Sequence, residues 1–281
     1  MAWSKVKNIV ILILLSMNLV LAGFSVDRMM QARQTRAQAR SAAIAFLQSQ
    51  EIKLEESNIP REMELIPMVV SRDMEQEAAL AAALLAGEVS VEARGAEVYR
   101  YSNQNGFIQF HSNGDFSAHF TPSVMRVEEQ SIQTHSEQIM ARLGIQGHAE
   151  PEVVVQEDGT RTVNFQEEWN GVTLMNCQVS LNYEDDMLVS ITNGKRLVGT
   201  PVAHGAASAG TVATALMRFY NEVSAMGDAY SEIREIEPGY LLTSTIGETI
   251  PLTPVWYIKT DVRTYQLDLP TGVLSRISER G

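Results

Sequence analysis

Val172-Thr173-Leu174-Met175-Asn176-Cys177-Gln178-Val179-Ser180-Leu181-Asn182-Tyr183 has the pattern of one long β-strand. Apolar and polar residues alternate in it at period two, the mark of a half-buried strand. Val172 and Leu174 hold even positions, whereas Cys177, Val179, Leu181 and Tyr183 hold odd ones, so the buried face changes midway. A bulge near Met175-Asn176 accounts for the switch, because one extra residue re-aims every side chain beyond it. Asn170-Gly171 precedes the run and Asp185-Asp186 follows it, both of them pairs that tolerate the positive φ of a hairpin turn.

Outward from this run lie further strands at Val153 to Gln156, Val163 to Trp169 and Met187 to Ile191. A helix comes before them: Thr134 and Glu137 have capping-box spacing, Ile139, Met140 and Leu143 form an apolar face, and Gly144 is a stop. The same order stands earlier in the chain. Met74, Ala78, Ala81, Ala82 and Leu85 share a helical face ended by Gly87, after which Phe107, Ile108 and Phe110, then Phe116, Ala118 and Phe120, read as strands around Asn105-Gly106 and Asn113-Gly114. It stands later as well. Val212, Ala215, Leu216, Phe219, Tyr220 and Val223 make the clearest amphipathic helix, with strands after it at Tyr240 to Thr245, Val255 to Lys259, Tyr265 to Leu269 and Val273 to Ile277. The expectation is an α+β chain of repeated helix-plus-antiparallel-meander units at 51–125, 126–200 and 211–281, with an Ala/Gly/Ser-rich linker at 201–210.

The N-terminus differs in kind. A tail, 1–7, carries Lys5 and Lys7, and an apolar block from Ile9 to Val26 follows. At 1.5 Å per residue such a block spans roughly 27 Å, close to the ~30 Å hydrocarbon core of a bilayer, so a transmembrane helix is expected at 8–26. A retained anchor is preferred to a cleaved secretory signal, for which Val20-Leu21-Ala22 would be the cleavage site. From 27 to 50 the helix formers Ala, Gln, Arg and Met predict a juxtamembrane helix, with Met30, Ala37 and Ile44 recurring at seven. Lys5 and Lys7 on one flank nearly balance Arg28, Arg33, Arg36 and Arg40 on the other, so charge alone leaves the orientation open. Within the block, Ser16 and Asn18 are the polar residues that a neighbouring membrane helix would satisfy, at a gain of roughly 0.6–2 kcal/mol per interhelical hydrogen bond.

Among the 281 residues, 34 Asp and Glu stand against 22 Lys and Arg, a net charge of −12. No basic cluster exists to displace counterions from phosphates, which argues against a nucleic-acid partner. Cys177 is the single cysteine, so no internal disulfide forms, and its apolar neighbours predict a buried thiol. His111, His119, His135, His148 and His204 lack the spacing of metal ligands. Ser208 lies in a small-residue linker rather than on a strand-to-helix elbow. Glu167 and Glu168 are strand neighbours facing opposite ways, and Asp185 and Asp186 share a solvated turn, so neither pair makes an acid/base couple. The residues present no catalytic constellation and call for no cofactor.

Met1-Ala2-Trp3-Ser4-Lys5 and, within the apolar block, Leu15-Ser16-Met17-Asn18-Leu19 resemble the start of the YycI branch of the YycH/YycI family. Phe165-Gln166-Glu167-Glu168-Trp169-Asn170-Gly171-Val172 and Pro254-Val255-Trp256-Tyr257-Ile258 resemble β-meander segments of YycI and of PepSY-like modules, the 126–200 unit in particular. The resemblance implies a single-pass membrane protein with a cytoplasmic N-terminus and an extracytoplasmic domain. It further implies regulation of a sensor histidine kinase in cell-wall homeostasis, together with a YycH-like partner. The alternative is a PepSY-like inhibitory module acting on a secreted or membrane peptidase. The arginine-rich stretch after the block and the Ala-rich helix after it depart from the family pattern.

Overall fold

The structure is a computed structural model and describes residues 30–60, 63, 65–122, 124–127, 131–205, 210–243 and 249–277. Its helices are α1 (30–49), α2 (Met74–Leu84), α3 (Ile132–Arg142) and α4 (Val212–Ala225). The strands are β1 (Lys53–Leu54), β2 (Met68–Ser71), β3 (Ser90–Ala93), β4 (Tyr99–Asn103), β5 (Gly106–Phe110), β6 (Asp115–Phe120), β7 (Gly147–Val155) and β8 (Arg161–Trp169). They continue as β9 (Val172–Glu184), β10 (Met187–Lys195), β11 (Val202–Ala203), β12 (Glu232–Leu242), β13 (Thr249–Thr260), β14 (Thr264–Asp268) and β15 (Leu274–Ile277).

Local chemistry starts each helix. Asp73, Ser131 and Thr211 are the N-caps of α2, α3 and α4, each side chain accepting from the backbone N–H three residues on, as short oxygen-bearing side chains do for orphan donors. The cap of α3 is therefore Ser131 and not Thr134, which lies inside the helix and shares a hydroxyl contact of 3.0 Å with Ser131. In α4 the faces agree with the periodicity: Val212, Ala215, Leu216, Phe219 and Val223 are buried, and Phe219 meets Tyr230 and Tyr265 at ring-centroid distances of 5.3 Å. In α1 they do not. Ala43 and Leu47, one turn apart, are the buried pair, while Met30 is 60% exposed, so the helix docks by its last turns and uses no heptad seam.

The expected fold class is corrected by the strand pairing. Instead of separate helix-plus-meander units, the strands among the described residues form one 15-stranded mixed sheet, ordered β11-β2-β13-β12-β9-β10-β6-β5-β4-β3, with β1, β7, β8, β14 and β15 branching from it. Two of its ladders, β1 with β12 and β9 with β12, are parallel. The second of these joins the 126–200 segment to the 211–281 segment edge to edge, and β2 joins the early chain to β13. Periodicity misses such joins because it encodes which face of a strand is buried and carries nothing about which edge is paired. No helix among the described residues is long and apolar enough to cross a membrane; the expected membrane helix at 8–26 lies outside them.

β9 is where the joins meet. Its ladder with β8 shifts register between Gln166↔Gln178 and Glu168↔Thr173, so the chain from Leu174 to Cys177 bulges out of step with β8. The bulge separates two cores. Val172, Leu174 and Cys177 belong to a first core with α4, β12 and β13, whereas Val179, Leu181 and Tyr183 belong to a second with α2, α3, β5 and β6. Freed backbone groups find side chains instead of a ladder: Gln166 Nε2 donates to Leu174 O at 2.7 Å and to Cys177 O at 3.2 Å. Asn176 extends the same device to β12, donating to Leu242 O at 2.9 Å and accepting from Leu242 N at 3.0 Å.

The parallel β9–β12 contact is narrow, Gly239↔Thr173 and Tyr240↔Leu174, and it requires a glycine. A Cβ on Gly239 would lie 2.9 Å from Thr173 O and closer still to Met175, and a backbone carbonyl cannot step aside as a side-chain tip can. Gly239→Val should therefore lower unfolding free energy by about 1–3 kcal/mol, the usual range for overpacking. It should also loosen the join selectively, so that urea unfolding followed by tryptophan fluorescence, which reports the first core, runs ahead of far-UV circular dichroism. Coincident transitions at the wild-type midpoint would show that the β9–β12 contact does not couple the cores.

Candidate functional site

Charged side chains are buried where the two cores meet. On β8, Phe165 packs in the second core and Trp169 against the first, and Glu167 falls between them on the buried side of the strand, 4% exposed. Both its oxygens lie within reach of Leu197 N, at 3.4 and 3.1 Å. Arg196, also 4% exposed, stands next to Leu197, with its guanidinium carbon 5.6 Å from the Phe110 ring centroid. Its Nε and Nη1 are buried without a hydrogen-bond partner. From the α2 side comes Glu77, 1% exposed, held in a fork by Arg72 through Nε–Oε1 and Nη2–Oε2 contacts of 2.8 Å. Arg72 in turn lies over the Tyr99 ring and donates to Glu97 O.

Burial sets the protonation of this seam. It pushes the Glu167 carboxyl up to about 8, against the opposing pull of Arg196 and of the Leu197 N–H. Arg196 is lowered from its ordinary value, again by burial first, with Glu167 and Glu77 acting the other way. The Cys177 thiol is raised well above the usual range by burial and by Glu167. At neutral pH the seam thus holds Glu167 as a largely neutral acid and a neutral thiol, beside the Arg196 guanidinium and the Arg72–Glu77 fork. A thiol kept protonated is a poor nucleophile, and a protonated acid cannot serve as its base. These groups suit hydrogen bonding and charge recognition.

A cleft of about 200 Å³ opens over the seam, lined by Gln76, Gln146, Glu168, Asn170 and Thr200 as well as by Glu167 and Arg196. Next to it, sharing Gly144 and Gln146, a wider groove runs between α3 and β8 past Glu137 and Phe165.

No family model and no curated protein matches the chain. Among solved structures, an uncharacterized protein from Eubacterium rectale is similar over 77% of this chain and 87% of its own, at 13% identity and a TM-score of 0.45. A likeness that slight carries no argument about fold or function.

The proposed partner contacts Ser16 and Asn18 lie outside the described residues, as does Ser208. Glu168 faces away from Glu167 and meets His148 at 3.0 Å, and Asp186 pairs with Arg161 at 2.7 Å in the turn where Asp185 and Asp186 both take positive φ. Among the described residues no group of His, Cys, Asp and Glu could hold a metal ion. His135 is buried, bonded to the Tyr183 hydroxyl at 2.9 Å, and lowered by burial and by Arg142. Sequence reasoning passed over the seam itself. Glu167 had a signal, since it continues the core positions Val163 and Phe165 at period two; Arg196 had none, because the strand's alternation ends before it.

The raised acid makes stability pH-dependent. Glu167 keeps its proton in the folded chain up to about 8, whereas the unfolded chain releases it in the ordinary carboxylate range, near 4.5. Its contribution is therefore complete below that range and is lost as pH rises through about 8. His135 acts in the opposite sense and lower, losing its contribution as pH falls. The urea midpoint should decline from about pH 6.5 to about pH 8.5, and Glu167→Gln should remove most of that decline while leaving the low-pH midpoint nearly unchanged. An equal decline in the glutamine variant would assign it to other groups.

Proposed function

We propose that this chain is a non-enzymatic, extracytoplasmic regulator of a sensor histidine kinase, held at the membrane by the apolar block Ile9 to Val26. In this reading the tail 1–7 is inside the cell and the acidic remainder outside, and a YycH-like protein shares the task. The observation that carries it is the N-terminal pattern, Met1-Ala2-Trp3-Ser4-Lys5 ahead of an apolar block containing Ser16 and Asn18, which resembles the YycI branch. The chemistry of the seam is in keeping with a binding role, since an acid raised to about 8 beside a neutral thiol offers contacts and supplies no activated nucleophile.

Asn18→Leu is the test. Leucine suits an apolar environment at least as well, so membrane attachment and abundance should be unchanged, while a hydrogen bond to a partner's membrane segment is lost. Co-purification with a sensor histidine kinase should weaken several-fold, and expression of that kinase's target genes should shift. Replacing the whole Ile9 to Val26 block with an unrelated apolar segment should abolish both effects. If that replacement leaves them at wild-type level, regulation through the block is wrong; if a secreted peptidase co-purifies in place of a kinase, the inhibitory-module reading takes over.

A further inference from the structure

Arg40, Arg100 and Arg196 each hold a buried nitrogen that no hydrogen-bond partner meets among the described residues. Arg40 and Arg100 are tied down by another nitrogen, Nη2 donating to Ile59 O at 3.2 Å in the first and to Gln109 Oε1 at 3.4 Å in the second. Arg196 is not. Among the described residues its guanidinium makes no hydrogen bond and has no carboxylate within 4.0 Å. The acids that could serve are engaged elsewhere: Glu77 in the Arg72 fork at 2.8 Å, and Asp115 with Lys195 at 3.6 Å. Glu167 turns both oxygens to Leu197 N and keeps its proton up to about 8. The seam therefore retains a guanidinium charge, in a residue 4% exposed, with no counter-ion against it, an unfavourable state for a buried ion.

The charge is not closed off. Nε and Nη1 are sealed from solvent but Nη2 is not, and Arg196 lines, together with Glu167, the cleft of about 200 Å³ that opens over the seam. Gln76, Gln146, Asn170 and Thr200 make up much of the remaining wall, and their side chains form no hydrogen bond among the described residues. They are free to bond a guest. Glu168, the other acid on the wall, is held by His148 at 3.0 Å.

We propose that this cleft binds a short-chain monocarboxylate, whose carboxylate accepts from Arg196 Nη2 and supplies the missing counter-charge. A guanidinium suits a planar oxyanion, because its N–H groups lie in one plane and form strong charge-assisted bonds. Glu167, protonated, is a further donor and no rival anion. Glu168 opposes a second negative charge, which disfavours doubly charged oxyanions such as sulfate. Size points the same way: a cleft of about 200 Å³ lies below the roughly 300–1,000 Å³ of sites for drug-sized ligands, so the guest has only a few heavy atoms, as acetate, lactate and butyrate do. The site is formed by α2, β8 and the chain that follows β10, without any part of the block Ile9 to Val26. It therefore stands or falls separately from regulation through that block.

Saturation-transfer-difference NMR of the full-length chain in detergent, with butyrate as the probe at about pH 6.5 where Glu167 keeps its proton, is the test. Saturable transfer to butyrate is expected, with affinity about tenfold or more weaker for the neutral isostere butyramide and no displacement by sulfate at equal ionic strength. Arg196→Met removes the charge while keeping most of the bulk, and should abolish saturable binding. If that variant does not fold, Gln146→Glu combined with Thr200→Glu decides the matter: both positions are exposed, so the core is untouched, and two added carboxylates on the wall should weaken butyrate about tenfold or more. Val155→Glu, 67% exposed at the end of β7 away from the cleft, should bind as wild type. Absence of saturable binding, equal affinity for butyramide, displacement by sulfate, or wild-type affinity in either cleft variant would each overturn the proposal. So would a loss in Val155→Glu as large as in the double variant, which would assign the effect to overall charge.

Discussion

A single strand, β9, packs into both cores, with Val172 and Leu174 in one and Val179, Leu181 and Tyr183 in the other. It can do so only because its ladder with β8 slips by a bulge between Leu174 and Cys177. The slip has a cost, since bulged backbone groups leave the ladder and must be satisfied elsewhere. Gln166 and Asn176 do this with side-chain amides, and in doing so Asn176 fastens β9 to Leu242 of β12. The parallel pairing at Gly239 then follows from proximity, and glycine is what allows the two backbones to approach.

A shared strand leaves a boundary where neither core is complete, and the buried charges collect there. Glu77 and Arg72 form a fork that satisfies both partners, which is the condition for a buried ion pair to be tolerated. Arg196 and Glu167 satisfy it less well: two of the arginine's nitrogens have no partner, and the acid relieves its own burial by keeping a proton. The seam is thus held together more by packing and by the Leu197 N–H than by Coulomb attraction. The cleft opens over this boundary.

The outward side of the same strands shows a different economy. From β8 to β9 amides and hydroxyls satisfy one another, Thr162 with Asn182 and Ser180 with Asn164, and charged residues such as Glu168 and the Asp115–Lys195 pair stand beside them. In β8, Glu167 points inward between Gln166 and Glu168, and Gln166 belongs both to the outward side, where Gln178 meets it, and to the bulge that it braces.

Local elements and their faces can be read from the order of residues alone. Period two in β9, with its change of parity at Met175-Asn176, located the bulge; Phe219 and its partners at helical spacing located the buried face of α4; and the turn pairs Asn170-Gly171 and Asp185-Asp186 located hairpins whose residues do take positive φ. These are legible because side-chain polarity and backbone φ preferences act over a few residues. The sequence also carried half of the seam, in the placement of Glu167 on the core parity of Val163 and Phe165. The sharing of one mixed sheet by the strand runs, the parallel placing of β9 on β12 and the convergence of Arg196 and Glu77 on Glu167 arise from contacts between distant segments. Edge pairing uses backbone N–H and C=O groups that every residue possesses, so its partners leave almost no trace in side-chain pattern. Burial of a charge is likewise a property of what other segments bring to it, and no spacing within one strand records that.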